Sequence, residues 1–165
     1  MSRIQDVCNK YEIVGSLRRQ RDFVNDIDIL VIPKLYETTE MTLFAEPVMV
    51  SLLDQRLDKL AADGFIKWDV NGPRIKRFFV PARPKPIPVD IYVATTTTWP
   101  TLLLIRTGSR NHNIMLARKA NDLHMILKAD GTGLLSPGGS LISVTDEIDI
   151  FRQLKVKFRL PQERE

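Results

Sequence analysis

Two aspartates stand two positions apart in the run Asp26-Ile27-Asp28-Ile29-Leu30-Val31-Ile32. In an extended strand such residues share a face, so both carboxylates project together while Ile27, Ile29 and Val31 turn to the opposite side. Carboxylates held that close repel each other unless one takes up a proton or a cation lies between them. Magnesium suits the position, because it takes hard oxygen ligands and uses a few carboxylates together with phosphate oxygens. A second apolar run, Val89-Asp90-Ile91-Tyr92-Val93, carries one acid with Val89, Ile91 and Val93 on the face away from it. If the two runs form neighbouring strands, Asp26, Asp28 and Asp90 converge. Three such carboxylates are the minimum for phosphoryl transfer with two metal ions, one activating a hydroxyl and one neutralising a triphosphate.

An Asp-x-Asp pair more often marks a turn or a solvated edge; here the acids are the only charges on apolar strands. Gly15-Ser16 precedes them, followed by Arg18 and Arg19. A Gly-Ser turn after a strand presents backbone N–H groups and a hydroxyl to a phosphate, and the arginines add charge. Other chemistry is weaker. His112 and His124 have no cysteine or acid at zinc-ligand spacing, and His112 reads as a partly exposed helix residue. Gly131-Thr132-Gly133 and Pro137-Gly138-Gly139 fit turns better than phosphate loops, and Trp68 and Trp99 fit packing better than base stacking.

The elements that must position these residues are legible in outline. Tyr11 to Val14 reads as a strand ending at Gly15-Ser16, with a basic turn or short helix from Arg18 to Arg21. Pro33 ends the Asp26–Ile32 strand. A helix is predicted from Pro47, with Met49, Leu52, Leu53, Leu57 and Leu60 at helical spacing and Gly64 at its end. A hairpin follows: Phe65 to Val70, an Asn71-Gly72 turn, and Ile75 to Val80. A proline-rich loop over 81–86 leads into the strand Ile87–Val93, where Pro88 suits a strand start or an edge. Helices are predicted over Thr98–Thr107 and Asn111–Leu123, broken at Gly108-Ser109. Met125 to Leu135 reads as a hairpin, and a last helix runs from about Thr145, its N-cap, to Leu154. An α+β lobe to about residue 105 and a smaller helical lobe with one hairpin result.

Composition is that of a globular protein, 44% hydrophobic and 27% charged. No apolar run is long enough to cross a bilayer and no signal peptide is visible, so an intracellular, soluble (cytoplasmic) protein is expected. The single cysteine, Cys8, excludes an internal disulfide and reads as a buried side chain. The net charge of +4 is weak evidence for nucleic-acid binding by itself. Its distribution is more specific: Arg74-Lys76-Arg77, Arg83 with Lys85, and Arg106-Arg110-Arg118-Lys119 form separate basic groups.

Gly15-Ser16-Leu17-Arg18-Arg19, Asn25-Asp26-Ile27-Asp28-Ile29-Leu30-Val31 and Val89-Asp90-Ile91 together resemble the palm of the family X DNA polymerases, the group of DNA polymerase beta. Thr107-Gly108-Ser109 followed by Asn113 resembles the segment under the incoming nucleotide. Glu147, Ile150-Phe151, Leu154, Phe158, Pro161 and Glu163-Arg164 resemble the closing thumb helix and tail. The likeness is sparse but runs in order through nearly the whole chain. It implies an α+β palm with a mixed β-sheet and helices on one face (1–105), then a thumb-like lobe of helices and a hairpin (106–165). It further implies that Asp26 and Asp28 bridge two Mg²⁺ ions (or Mn²⁺), while Asp90 binds the catalytic ion and helps deprotonate a primer 3′-hydroxyl. Gly15 and Ser16 would hold terminal phosphates, Arg19 the triphosphate, and Asn113 the minor-groove edge of the base, with Asn25 and Gly108 also at the nucleotide.

Departures from the family pattern concern substrate choice. Family members carry two aromatic residues before Thr-Gly-Ser, near the sugar; here these are Ile105 and Arg106. A basic residue usually stands two before the third aspartate; here it is Pro88. The fourteen residues before Gly15 leave no room for a lyase or DNA-gripping lobe, so a minimal palm-plus-thumb enzyme is expected. The resemblance implies a monomeric DNA-directed DNA polymerase, taking dNTP and primer-template or gapped DNA in short-gap filling or repair, without a membrane partner. The alternative is a template-independent nucleotidyltransferase acting on RNA, a small molecule or a protein.

Overall fold

The computed structural model describes residues 3–38 and 48–165. A single turn over Gln5–Val7 leads into β1 (Cys8–Ile13), which ends at the short helix α1 (Gly15–Arg18). Then come β2 (Ile27–Pro33), β3 (Leu35–Thr38), β4 (Val48–Ser51) and α2 (Leu52–Ala62). β5 (Lys67–Asn71), β6 (Ile75–Val80) and β7 (Ile87–Val93) complete the strands of the first half. The second half holds α3 (Trp99–Thr107), α4 (Arg110–Asp122), the small hairpin β8 (Ile126–Leu127) and β9 (Leu134–Leu135), and α5 (Glu147–Gln153).

Five strands form one mixed sheet in the order β1-β2-β7-β6-β5. β2 and β7 run parallel at its centre, with Asp28 opposite Asp90 in register, and the other pairs are antiparallel. This adjacency decides the site, because the expected convergence required these two strands to be neighbours. Pro88 is tolerated in a central strand because β2 pairs only from Val89 onward, leaving Pro88 a partner, Phe79, on the β6 side alone.

Alternation sorts the side chains. Ile29, Val31, Val89 and Ile91 join Leu53 and Leu57 of α2 in one core, with Ile27 and Val93 at its edge. On the opposite face Leu30 and Tyr92 pack with Val14, Trp99 and Leu102. The α+β class and mixed sheet are as expected, with one difference: helices cover both faces rather than one, because α3 lies across the far end of the carboxylate face. A third core gathers Leu104, Leu116, Leu127, Leu134, Ile150, Phe151 and Leu154 around α3, α4 and α5. Trp99 is core, and Trp68 packs edge-on against Phe78 with ring centroids 5.7 Å apart.

Several boundaries move. The helix expected from Pro47 begins at Leu52; Pro47 lies outside the described residues, and 48–51 pair with β3 as a strand. The stop-start signal is Ser51, whose hydroxyl accepts from the Asp54 N–H at 3.2 Å. At α5 the cap is Asp146 rather than Thr145: Asp146 accepts from Asp149 N–H at 2.8 Å, while Thr145 donates to the Asp149 carboxylate. His112, read as partly exposed, is only 1% exposed, because its turn of α4 faces Phe151 in the third core.

Candidate active site

The site begins where β1 ends. The N–H of Val14 donates to the Asp28 carbonyl at 2.9 Å, seating the start of α1 against β2. Gly15 then takes φ +62°, and a Cβ there would lie 2.0 Å from Asp28 Oδ2, so only glycine permits this approach. Ser16 follows, and Arg19 donates to Ser16 Oγ at 3.3 Å and to the Thr107 carbonyl at the end of α3. There the chain turns at Gly108 (φ +71°), where a Cβ would come within 3.0 Å of Arg19. Ser109 caps α4, accepting from His112 N–H at 3.3 Å. Asn113, on the first turn of α4, donates to the Ile105 carbonyl at 2.8 Å.

These elements surround a cavity of about 490 Å³. Of the residues singled out from sequence, Gly15, Ser16, Arg19, Asp26, Asp28, Ile105, Arg106, Gly108 and Asn113 line it. Asn25 and Asp90 do not; Asn25 is exposed on the preceding loop and Asp90 lies behind Tyr92. Asp26 sits one residue ahead of β2 rather than within it. Three polar atoms of the cavity residues are buried without a hydrogen-bond partner: Arg19 Nε, Arg106 Nε and Asn113 Oδ1. A ligand with acceptor or anionic groups for the two guanidinium N–H donors and a donor for the amide oxygen is what such a wall would satisfy.

Charge is concentrated at the cavity floor. Burial, and then the nearby Asp26 carboxylate, push the Asp28 carboxyl up to about 6, against a hydrogen bond from Tyr92 that favours the ionised form. The Tyr92 hydroxyl lies 3.2 Å from Asp28 Oδ1 and 3.3 Å from Asp90 Oδ2, and can donate to one at a time. Its own ionisation is pushed up by burial and by both carboxylates. Asp90, 4% exposed, is held by Arg77 across the β6–β7 pair: Nε donates to Oδ1 and an Nη to Oδ2, both at 2.7 Å. Among the described residues no three acids, histidines or cysteines are already gathered around one point. The donor set nonetheless fits a hard cation: Asp26 and Asp28 share the cavity, Asp28 and Asp90 share a register, and the raised Asp28 lacks a positive partner in hydrogen-bond contact.

Sequence reasoning missed Tyr92, although its place two residues after Asp90 puts it on the carboxylate face, and it took Arg77 only as part of a basic group. It also missed a second charge cluster behind the cavity. Glu147, at the start of α5, accepts from Arg18 (2.9 and 3.0 Å) and from Arg164 (both 3.1 Å). Arg18 also donates to Thr107 Oγ1 at 2.7 Å, and the wholly buried Arg164 donates to the Arg159 carbonyl. Burial alone would raise Glu147, but the two guanidiniums outweigh it and hold the carboxyl below its usual range. No local motif announces such a cluster, since its members are brought together only by folding.

Residues 102–165 match the family model of the DNA polymerase beta thumb. No curated protein sequence matches the chain. Among solved structures it is similar to Leishmania infantum polymerase beta in a ternary P/T complex, at 21% identity and a TM-score of 0.77, over 99% of this chain and 71% of that one. The same protein in a ternary gap complex matches at 19% identity and a TM-score of 0.77, over 99% of this chain and 66% of that one. None of the described helices is long and apolar enough to cross a membrane. The parallel β2–β7 pair, the matched segment and the shared architecture agree: the chain has a polymerase beta-like fold, in which residues 102–165 match the DNA polymerase beta thumb.

Proposed function

We propose that the chain is a DNA-directed DNA polymerase, transferring a nucleotide from a dNTP to a primer 3′-hydroxyl in short-gap filling or repair, as a monomer. The observation that carries this reading is the position of Asp28 opposite Asp90, with Asp28 lining a cavity whose other walls offer a glycine turn, arginines and an unpartnered amide oxygen. Asp26 and Asp28 would hold the ions shared with the triphosphate, and Asp90 the ion at the primer end. Bound there, two Mg²⁺ or Mn²⁺ ions would supply Lewis acidity toward the attacking hydroxyl and the departing pyrophosphate. Gly15 and Ser16 receive the terminal phosphates, and Arg19, anchored to Thr107 and Ser16, adds positive charge beside them. Asn113 offers its free Oδ1, and Arg106 lies at the sugar with its guanidinium 4.2 Å from the Tyr92 ring centroid. The ternary P/T and ternary gap complexes named for the similar Leishmania infantum polymerase beta support a nucleic acid as the second substrate.

The test is incubation with Mg²⁺, single-nucleotide-gapped DNA and each dNTP in turn. Incorporation of only the nucleotide complementary to the gap is expected. Untemplated addition would move the reading to a template-independent nucleotidyltransferase, and no addition to any DNA would remove the polymerase reading.

A further inference from the structure

Asp90 is the acid with the least freedom in the site. Arg77 covers both of its oxygens, and Tyr92 approaches one of them again. While the guanidinium fork is in place it takes one lone pair on each oxygen and sets a full positive charge against both, so it competes directly with a cation. Arg77 itself is not locked: its side chain is 43% exposed, against 6% for the Asp90 side chain, and none of its other contacts among the described residues is a hydrogen bond to a side chain or carbonyl. It stands on β6, directly opposite Asp90 in register, on the carboxylate face of the sheet. Pro88, the neighbour two residues along β7 on the same face, has no charge to offer in its place.

We infer that Arg77 is a positioning residue that links nucleic-acid binding to assembly of the catalytic metal site. In the free protein it neutralises Asp90 and competes with the cation. When a nucleic-acid strand enters with its 3′-end at Asp90, a backbone phosphate near that end takes over the guanidinium. Asp90 is then released to the ion. A phosphate is the right competitor, because it offers a carboxylate-like pair of oxygens to the same bidentate fork. Coupling of this kind is reciprocal, so the strand tightens the metal and the metal tightens the strand by the same factor. This rests on the proposed polymerase reading for the site but concerns a step that precedes chemistry.

The test measures Mn²⁺ binding by electron paramagnetic resonance, without nucleotide, in the full chain alone and with saturating primer-template whose primer ends in a 2′,3′-dideoxynucleotide. In the unaltered protein the DNA should tighten Mn²⁺ binding about five- to tenfold, within the usual range of coupling between sites. Arg77→Gln should bind Mn²⁺ in the free state about as tightly as the unaltered protein does with DNA, and DNA should then change it less than twofold, roughly the limit below which no coupling is resolved. Arg77→Lys, which keeps a charge but loses the fork, should fall between the two, and serves if Arg77→Gln does not fold. Asp90→Asn should abolish the DNA-dependent part. An Arg77→Gln protein whose free-state Mn²⁺ binding is unaltered, or whose response to DNA persists, overturns the inference, as does an unaltered protein with no DNA effect. The gapped-DNA assay is separate: coupling without templated incorporation would sink the polymerase reading alone, and incorporation without coupling would sink the role of Arg77 alone.

Discussion

Two buried charge clusters face each other across the junction of α1 and α3, and they are built on opposite rules. Around Glu147 one carboxylate sits between the guanidiniums of Arg18 and Arg164, and both of its oxygens are used twice over. Where β2 and β7 present their carboxylates the balance is reversed. Asp26, Asp28 and Asp90 approach one another, with Arg77 on Asp90 and only a tyrosine hydroxyl on Asp28. A cluster whose charges are already paired is costly to break from one side; one with excess negative charge is suited to a cationic partner. They share elements: Arg18, the last residue of α1, and Arg19, just beyond it, reach Thr107 through its hydroxyl and its carbonyl respectively.

The largest expected effect comes from removing the acid that the proposal assigns to the primer end. Asp90→Ala should lower single-turnover nucleotide addition by about 10³-fold or more, on the scale of losing a charge-stabilising group in a preorganised site. Triphosphate binding, measured by fluorescence with a nucleotide analogue, should stay within a few-fold, since Asp26 and Asp28 remain. Activity surviving in Asp90→Ala would erase the distinction between the clusters. At Asp28 stability sharpens the contrast. Asp28→Asn removes a repelled charge while keeping an acceptor for Tyr92, so the metal-free protein should gain roughly 1 kcal/mol in urea denaturation while losing activity.

The satisfied cluster should behave in the opposite way. Glu147→Gln leaves the wholly buried Arg164 without its counter-charge and Arg18 with only the more exposed Glu12, 3.9 Å away. Stability should fall by about 3–5 kcal/mol in urea denaturation, the scale for breaking a buried ion pair on one side. A change under 1 kcal/mol would show that the cluster is not structural.

This contrast also explains what the sequence disclosed. Asp26, Asp28, Gly15 and Asp90 were legible because a period of two and a turn residue are local patterns, and the parallel pairing of β2 with β7 only had to bring them together. Tyr92 was open to the same alternation, two residues after Asp90, whereas Arg77 depends on which strand lies beside β7 and in what register, and a single sequence does not carry that. Glu147, Arg18 and Arg164 come from α1, α5 and the C-terminal tail, so their meeting is a tertiary fact. The fold erred mainly at boundaries: Met49, at helical spacing with the leucines of α2, belongs to a strand, because Ser51 caps the helix later than apolar periodicity suggests. His112 was misjudged since its burial depends on Phe151, distant in sequence.

His112 tests whether the thumb cluster tolerates further positive charge. Burial first, and then Arg164 and Arg159, hold its ionisation down to about 4, with Glu147 pulling weakly the other way. The unfolded chain therefore takes up a proton near the ordinary pKa of 6.5 that the folded chain refuses until about 4. Stability should accordingly be full above pH 6.5 and fall as pH drops toward 4, by on the order of 2–3 kcal/mol from this residue. Glu147, whose carboxyl is depressed, adds its own loss only below the ordinary carboxylate range. Urea denaturation at pH 7.5 and 5 separates them: His112→Phe should flatten the slope in that window, and an unchanged slope would place the titration elsewhere.

The smallest effect concerns Arg106, the cation that offsets Asp28 from the cavity wall without a hydrogen bond to it. Its guanidinium lies against the Tyr92 ring and its Nε has no partner. A sugar beside it meets a hydrogen-bond donor rather than a flat apolar surface, and a 2′-hydroxyl can accept that bond. Arg106→Phe removes the donor while keeping a planar group on Tyr92, so use of rNTP should fall relative to dNTP. One neutral-acceptor hydrogen bond to a charged group corresponds to roughly tenfold in that ratio, measured as kcat/KM for each on the same gapped DNA. The same change withdraws positive charge from Asp28, and that part should lower kcat/KM for both nucleotides alike. A common loss with an unchanged ratio would leave Arg106 as charge compensation for the carboxylates and take it away from the sugar.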